Sequence, residues 1–490
     1  MPKPSGESRT RVRRLVAIAA TGLALLVPFA LRPSAEAATV TITNGVQFTD
    51  MAGAAVRAHG GGMIKVDQYY YWFGENRNDN NTFRAVSVYR STDLRSWEFR
   101  RNILTQSSAA ELNVSNIERP KIIYNSSTGQ YVLWMHWENG SDYGQARVAV
   151  ATSSTVDGNY SYRGSFRPLG FDSRDMTVYR DDDGSAYLIS STRVNADLNI
   201  YRLTADYTGV ASRIHTLWPG SYREAPAMFK RNGVYFLVTS GATGWQPNQA
   251  KYATASSIAG SWSGLSNFGN SITYGSQSAY VVPVQGSSTT SYLYLGDRWA
   301  GAWGARVTDS RYVWLPLTFP SNTSLSMSWY PRVNVDTATG VVSGSGSGFA
   351  YEYLKPRHSG KCLDVPSQST ADNVEIAQYG CNSGANQQWQ ALDLGTGYHQ
   401  LIARHSGKCL TVPSSSTADG TRVVQQPCGA ANNNQQWQIA DLGGGYHRFT
   451  ARHSGKCLDV VSGSTADGAR ITQYACNSGT NQQWQRVGAP

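Results

Sequence analysis

A seven-residue segment, Arg-His-Ser-Gly-Lys-Cys-Leu, occurs three times towards the C-terminal end of this chain, starting at Arg357, Arg404 and Arg452, 47 and 48 residues apart. Each copy closes on a Gln-x-Trp: Gln387 with Trp389, Gln435 with Trp437, Gln482 with Trp484. A unit of this length cannot close a core alone, so three stacked copies imply a pseudo-threefold, strand-rich domain with the three Trp in its core. All six cysteines fall inside the repeats. Six cysteines allow fifteen pairings, but the period singles out one per copy: Cys362 with Cys381, Cys409 with Cys428, Cys457 with Cys476. Zinc is the rival reading, and the spacing lacks the close Cys or His pairs of the usual ligand patterns.

These motifs resemble the ricin-B-type β-trefoil of the family 13 carbohydrate-binding modules, over residues 350–488 of an expected domain 350–490. The resemblance implies one sugar site per lobe, built from an Asp after the first Cys, an aromatic ring before the second, and an Asn-Gln pair. The first copy has Asp364, Tyr379, Asn386 and Gln387, and the third has Asp459, Tyr474, Asn481 and Gln482. The middle copy has Thr411 for the Asp and Gln426 for the ring. Two working lobes and one dead or weak one are expected. Two weak tethered sites raise avidity on a polymer without new contacts.

At the other end, Lys3, Arg9, Arg11, Arg13 and Arg14 precede an apolar run from Leu15 to Leu31, and Ala35-Glu36-Ala37 follows. This pattern is a secretion signal with a small-x-small cleavage site. A membrane anchor is the alternative, and Pro28 breaks its run. Residues 1–37 are expected to be removed, and the protein to be extracellular. The segment holds six of the 43 basic and two of the 33 acidic residues, so the formal charge falls from +10 to +6 on its loss. No basic run remains, which argues against nucleic acid as partner, and no later stretch is long and apolar enough to span a bilayer. A monomer is expected.

Residues 38–342 carry a weaker period. A strand-like run, a polar turn and an aromatic-rich strand recur five times, starting near Gly62, Pro120, Met176, Ala227 and Ala279. Charged residues make up 16% of the chain beside 48 Gly and 28 Tyr, a balance that favours strands and turns. Starts 50–60 residues apart fall in the range of propeller blades. The expected fold is all-β: a five-bladed β-propeller over 38–342, a Gly/Ser linker over 343–349, and the β-trefoil. Glu118, Asp175, Glu224 and Gln277 each stand just before or at a recurring strand. In equivalent blades they converge on one axial pocket, where grouped polar side chains are the default site.

This region resembles glycoside hydrolase family 43, over about residues 45–342. Arg223-Glu224-Ala225-Pro226 looks like the fourth blade of that family, which implies Glu224 as general acid, and Asp175 looks like the third-blade Asp that tunes it. The usual first-blade Asp base is absent, and the stretch reads Arg57-Ala58-His59-Gly60. The segments at Ala58–Gly62, Tyr71–Asn76, Glu118–Lys121 and Thr243–Asn248 instead resemble the exo-β-1,3-galactanase branch. There Glu118 or Gln277 is left to handle the attacking water. The resemblance further implies that Glu75 and Tyr143 hold galactose hydroxyls and that Trp245 gives a stacking face, with Asn195 and Thr243 as further pocket candidates.

The expected function is a secreted, inverting, exo-acting hydrolase releasing galactose from β-1,3-galactan, the arabinogalactan backbone. The alternatives are another family 43 glycosidase, an arabinofuranosidase or xylosidase, or a non-catalytic glycan-binding lectin. No cofactor is expected for catalysis. His59, His136 and His215 show no ligand spacing and read as fillers of the axial channel, with a structural cation left open.

Overall fold

The computed structural model describes residues 39–303, 305–346, 349–394, 397–429 and 432–489; the expected signal segment, 1–37, lies outside them. Strands and short 3-10 turns make up the regular structure, with no α-helix among the described residues. Five four-stranded antiparallel sheets follow one another, each built from consecutive strands. Their first strands are His59–Val66, Asn116–Asn125, Met176–Arg180, Arg223–Arg231 and Gln277–Gln285. Each first strand contacts the next, and the fifth contacts the first. That closed ring is a propeller arrangement, in which each sheet keeps one outer edge strand away from the axis.

Local chemistry explains the hairpins. Arg231 pairs with Val234 across Asn232-Gly233, and both turn residues have positive φ, 47° and 77°. This is the turn whose twist matches antiparallel strands. Successive apolar side chains point to opposite faces and fill the gap on either side of a sheet: Tyr70 and Trp72 pack towards the fifth sheet, Tyr71 and Phe73 towards the second. Trp72 of the first sheet and Trp97, in the turn before that sheet's last strand, meet Trp314 of the fifth, joined by Val333 and Val335 from a separate three-stranded sheet. That sheet comprises Val40–Thr43, Arg332–Asp336 and Val341–Ser345. Ser343, Gly344 and Ser345, expected in a flexible linker, are therefore paired strand. Their backbone amides satisfy a ladder whatever the side chains, and Gly344 leaves room for the Tyr330 ring above it.

In the C-terminal domain Trp389, Trp437 and Trp484 are fully buried in one core with Leu363, Leu410 and Leu458. Each indole N–H donates to the carbonyl of one of those leucines. The three expected disulfides are formed, one per copy. Arg298 ties this domain to the ring: its guanidinium donates to the carbonyls of Tyr274 (2.7 Å) and Gly275 (3.3 Å) and to Gln390 Oε1 (2.8 Å), with the Tyr351 ring 5.0 Å away. Gly275 has φ 73°, and a Cβ there would lie 2.8 Å from Tyr351. Only glycine permits so close an approach.

Candidate active site

Four of the five first strands slip register at the same place: between His59 and Gly62, Glu118 and Lys121, Glu224 and Ala227, and Ser278 and Tyr280. A bulge bends its strand and re-aims the side chain beside it. At three of them the turned residue is left-handed: Gly60 (φ 61°), Arg119 (φ 54°) and Ala225 (φ 52°). For Arg and Ala this costs on the order of 1 kcal/mol each. In every case the freed N–H is received by a carboxylate from the preceding sheet in the ring. Gly60 donates to Asp297 Oδ2 (2.8 Å), Arg119 to Glu75 Oε1 (2.8 Å) and Ala225 to Asp175 Oδ2 (3.0 Å). Hydrogen bonds to charged groups contribute about 1.5–3 kcal/mol each, enough to offset the strain. Asp175 and Glu75 thus hold the neighbouring bulge as well as facing the pocket, a double role that strand periodicity does not reveal.

Glu118, Asp175, Glu224 and Gln277 all line one cavity of about 380 Å³. Glu224 accepts from Gln277 Nε2 on Oε1 (2.9 Å) and from Asn195 Nδ2 on Oε2 (3.2 Å). Burial, then the charge of Asp175, push its pKa up to about 8 against the pull of Arg119. At pH 7 it carries a proton. Arg119 pairs with Asp175 Oδ2 at 2.9 Å and also donates to Gln277 Oε1. That same oxygen accepts from Trp299 Nε1 (2.8 Å). Both donors lack any acceptor capacity, so the amide orientation of Gln277 is chemically determined: carbonyl towards Arg119 and Trp299, NH₂ towards Glu224 and Ser240.

Glu118 is saturated differently. Oε1 accepts from Arg77 (3.0 Å) and Tyr143 (2.6 Å), and Oε2 faces His136 Nδ1 at 3.2 Å. Burial would raise its pKa, but His136 and Arg77 hold it well below the usual carboxylate range. His136 bridges Glu118 and the fully buried Glu138 (2.9 Å); against burial, these two bonds raise it to about 9. One ligand atom each from Glu118, His136 and Asp175 lie within 4.8 Å of one another, but Arg77 and Arg119 already supply positive charge to both carboxylates.

Of the other expected residues, Glu75, Tyr143, Asn195 and Trp245 line the cavity. Burial raises the pKa of Glu75, which also accepts from Arg77. Asn195 ends a run of three left-handed residues, Arg193, Val194 and Asn195 (φ 50°, 54°, 65°), and its Oδ1 is buried without a hydrogen-bond partner. Thr243 is not among the lining residues. Its hydroxyl donates to the Gln246 carbonyl (2.6 Å) and so shapes the loop that presents Trp245. The histidines depart from the filler reading in two cases. His59 does pack inside, stacked on Tyr312 with its Nδ1 3.0 Å from Asp297. His136 orients Glu118, and His215 sits on the outermost strand of the third sheet, away from the axis, because its strand is fourth in order. Sequence reading missed Arg77, Arg174 and Trp299 as lining residues. Arg119, adjacent to Glu118, was the one such group with a local signal.

The trefoil residues gather as two matching constellations. Asp364 Oδ2 accepts from Asn386 (2.9 Å) and Gln387 (2.8 Å), and Asp459 Oδ2 accepts from Asn481 (2.8 Å) and Gln482 (2.9 Å). Tyr379 and Tyr474 stand exposed across the strand from Cys362 and Cys457. In the middle copy Gln435 binds Thr411 Oγ1 (3.0 Å), and Gln426 is bonded to Asn373 (2.7 Å). That copy presents neither carboxylate nor ring.

Comparison with known proteins agrees with both halves. Residues 56–280 match the glycosyl hydrolases family 43, and residues 350–485 match the ricin-type beta-trefoil lectin domain. The chain is similar to the crystal structure of an exo-β-1,3-galactanase from Clostridium thermocellum, with 49% identity, 91% of this chain and 99% of that chain covered, and a TM-score of 0.63. It is similar to an exo-β-1,3-galactanase from Phanerochaete chrysosporium with bound galactose, at 28% identity, 91% and 93% coverage, and a TM-score of 0.61. A curated xylan 1,3-β-xylosidase from a Vibrio species is 22% identical over 177 residues; the chain spans about a third (32%) of that protein's length. The 49% identity over 91% of this chain, with the two family matches, establishes the family: this chain belongs to glycosyl hydrolases family 43 and carries a C-terminal ricin-type β-trefoil lectin domain.

Proposed function

We propose that this protein is an exo-acting, inverting glycoside hydrolase that releases galactose from the non-reducing end of β-1,3-galactan, and that its trefoil holds it on the polymer. The observation that carries the reading is its 49% identity, over 91% of the chain, to an exo-β-1,3-galactanase. The pocket chemistry supports it. Glu224, protonated at neutral pH, gives its proton to the glycosidic oxygen as the bond breaks, while water adds to the anomeric carbon from the opposite face and inverts it. Asp175 keeps that proton in place by its charge, and Arg119 holds Asp175. Glu75, Tyr143 and Asn195 receive sugar hydroxyls, and Trp245 covers an apolar sugar face.

Glu118 and Gln277 share the water in this reading. Glu118 has the titratable oxygen, and Gln277 touches the acid. Glu118→Gln and Gln277→Ala divide the roles: the variant whose lost turnover is restored by azide, as an α-galactosyl azide, lacks the group that activates water. Neither requires a cofactor.

The test is galactose release from β-1,3-galactan. Glu224→Gln lowers turnover by a factor of about 10²–10⁴, the usual loss for a general acid, while polymer binding persists. Depletion onto galactan without any sugar released by the wild type would leave a lectin. Activity only on arabinofuranosides or xylosides would leave another family 43 glycosidase. We further propose that residues 1–37 are removed on export and that the protein acts outside the cell as a monomer. An intact mass beginning at Ala38 in protein from the medium, and a monomeric mass by light scattering, are the expected results. Among the described residues no helix is long and apolar enough to cross a membrane.

A further inference from the structure

A second cavity of about 360 Å³, nearly the size of the catalytic one, lies where the trefoil meets the propeller. The two cavities share Gly244, Trp245, Gln277 and Trp299, so they adjoin, with the Trp245 and Trp299 rings 5.3 Å apart at the boundary. The far wall is trefoil: Tyr351, Gln368, Thr370, Arg404 and His405. We propose that this cleft binds the galactosyl residues on the leaving-group side of the scissile bond, so that the trefoil forms part of the substrate groove as well as a tether. The inference rests on the galactanase reading.

Three features support it. The lining has the chemistry of a sugar site, with amide, hydroxyl, guanidinium and imidazole groups beside aromatic faces. Its carboxylate, Asp297, is already engaged by His59 and the Gly60 N–H, so the cleft suits a neutral ligand. The walls are held in place before any ligand arrives. Tyr351 lies within 5.0 Å of the buried Arg298 of the propeller and 5.1 Å of Arg404 of the trefoil, and Gly275 gives it room. A site already in place spares the ordering cost of binding. The cleft is also separate from the lobe sites, because Asp364, Tyr379, Asp459 and Tyr474 do not line it. Its mouth is open, since Gln368 and Thr370 are exposed.

The test uses the full chain. Thr370→Trp fills the cleft from its exposed rim, and Gln368→Ala trims it. kcat/KM is measured on β-1,3-galactobiose and on the triose, tetraose and pentaose. The expected result is a wild-type kcat/KM that rises with length, and a tetraose-to-biose ratio that falls about tenfold in Thr370→Trp, the equivalent of one good contact. Gln368→Ala lowers the ratio by less. A ratio within twofold of wild type in both variants, with turnover intact, overturns the groove alone. A wild type that releases galactose at no length removes the galactanase reading, and the groove with it.

Discussion

Replacing Asp175 by Asn changes one charge and little else. Asn Oδ1 still accepts the Ala225 N–H that Asp175 receives at 3.0 Å, so the left-handed bulge beside Glu224 keeps its anchor. What is lost is the negative charge that, after burial, does most to raise Glu224 to about 8. The loss also frees Arg119, now 2.9 Å from Asp175, to favour ionised Glu224. A neighbouring charge of this kind moves a carboxyl by about 1–3 pKa units. The alkaline limb of kcat/KM, which reports the free enzyme, is therefore expected to move from about pH 8 to between about 5 and 7. The assay is the pH profile on a β-1,3-galacto-oligosaccharide for wild type and Asp175→Asn. The variant should lose most activity at pH 7.5 and recover towards wild type below its new limb. An unmoved limb with uniformly reduced activity would assign Asp175 to holding the bulge and refute the electrostatic argument.

Other outcomes follow from the same geometry. Asp364→Ala and Asp459→Ala are each expected to weaken retention on galactan and together to abolish it, with Thr411→Ala without effect; affinity electrophoresis reads this. Gly60→Ala puts a methyl on a left-handed residue and against Glu75 Oε1, so kcat/KM should fall at least tenfold, about 1.4 kcal/mol, while the fold survives by circular dichroism. The stability contributed by His136, whose folded pKa is raised to about 9, is complete below the ordinary imidazole pKa of about 6.5 and lost as pH rises through the folded value. The gap in thermal midpoint between wild type and His136→Gln should accordingly shrink from pH 6 to pH 10.

The C-terminal domain was legible because repetition carries its own register. Three copies of one segment name the pairs Cys362–Cys381, Cys409–Cys428 and Cys457–Cys476, the core tryptophans, and the copy whose sugar site has been replaced. The ring of sheets was legible more faintly. Asp175 and Glu224, 49 residues apart, could be set side by side only by assuming that every first strand points the same way. The roles of Thr243 and His215 failed that reasoning. A motif match says nothing about whether a hydroxyl turns into a cavity or closes its own loop, and strand order within a sheet decides which histidine sits near the axis.

By itself, then, the order of residues determined the strands, the threefold domain, its disulfides and the set of acidic side chains from which a site could be built. Those are consequences of local periodicity and pairing, which act over a few residues. Tertiary structure decided which groups hold which: Arg119 on Asp175 and Gln277, Glu75 and Asp297 on their neighbours' bulges, Trp299 between two cavities, and the trefoil as a wall of the second. These depend on ring closure and on the docking of Arg298 against Tyr351. Electrostatic and steric effects that span domains are set by distance in space, and sequence spacing does not encode it.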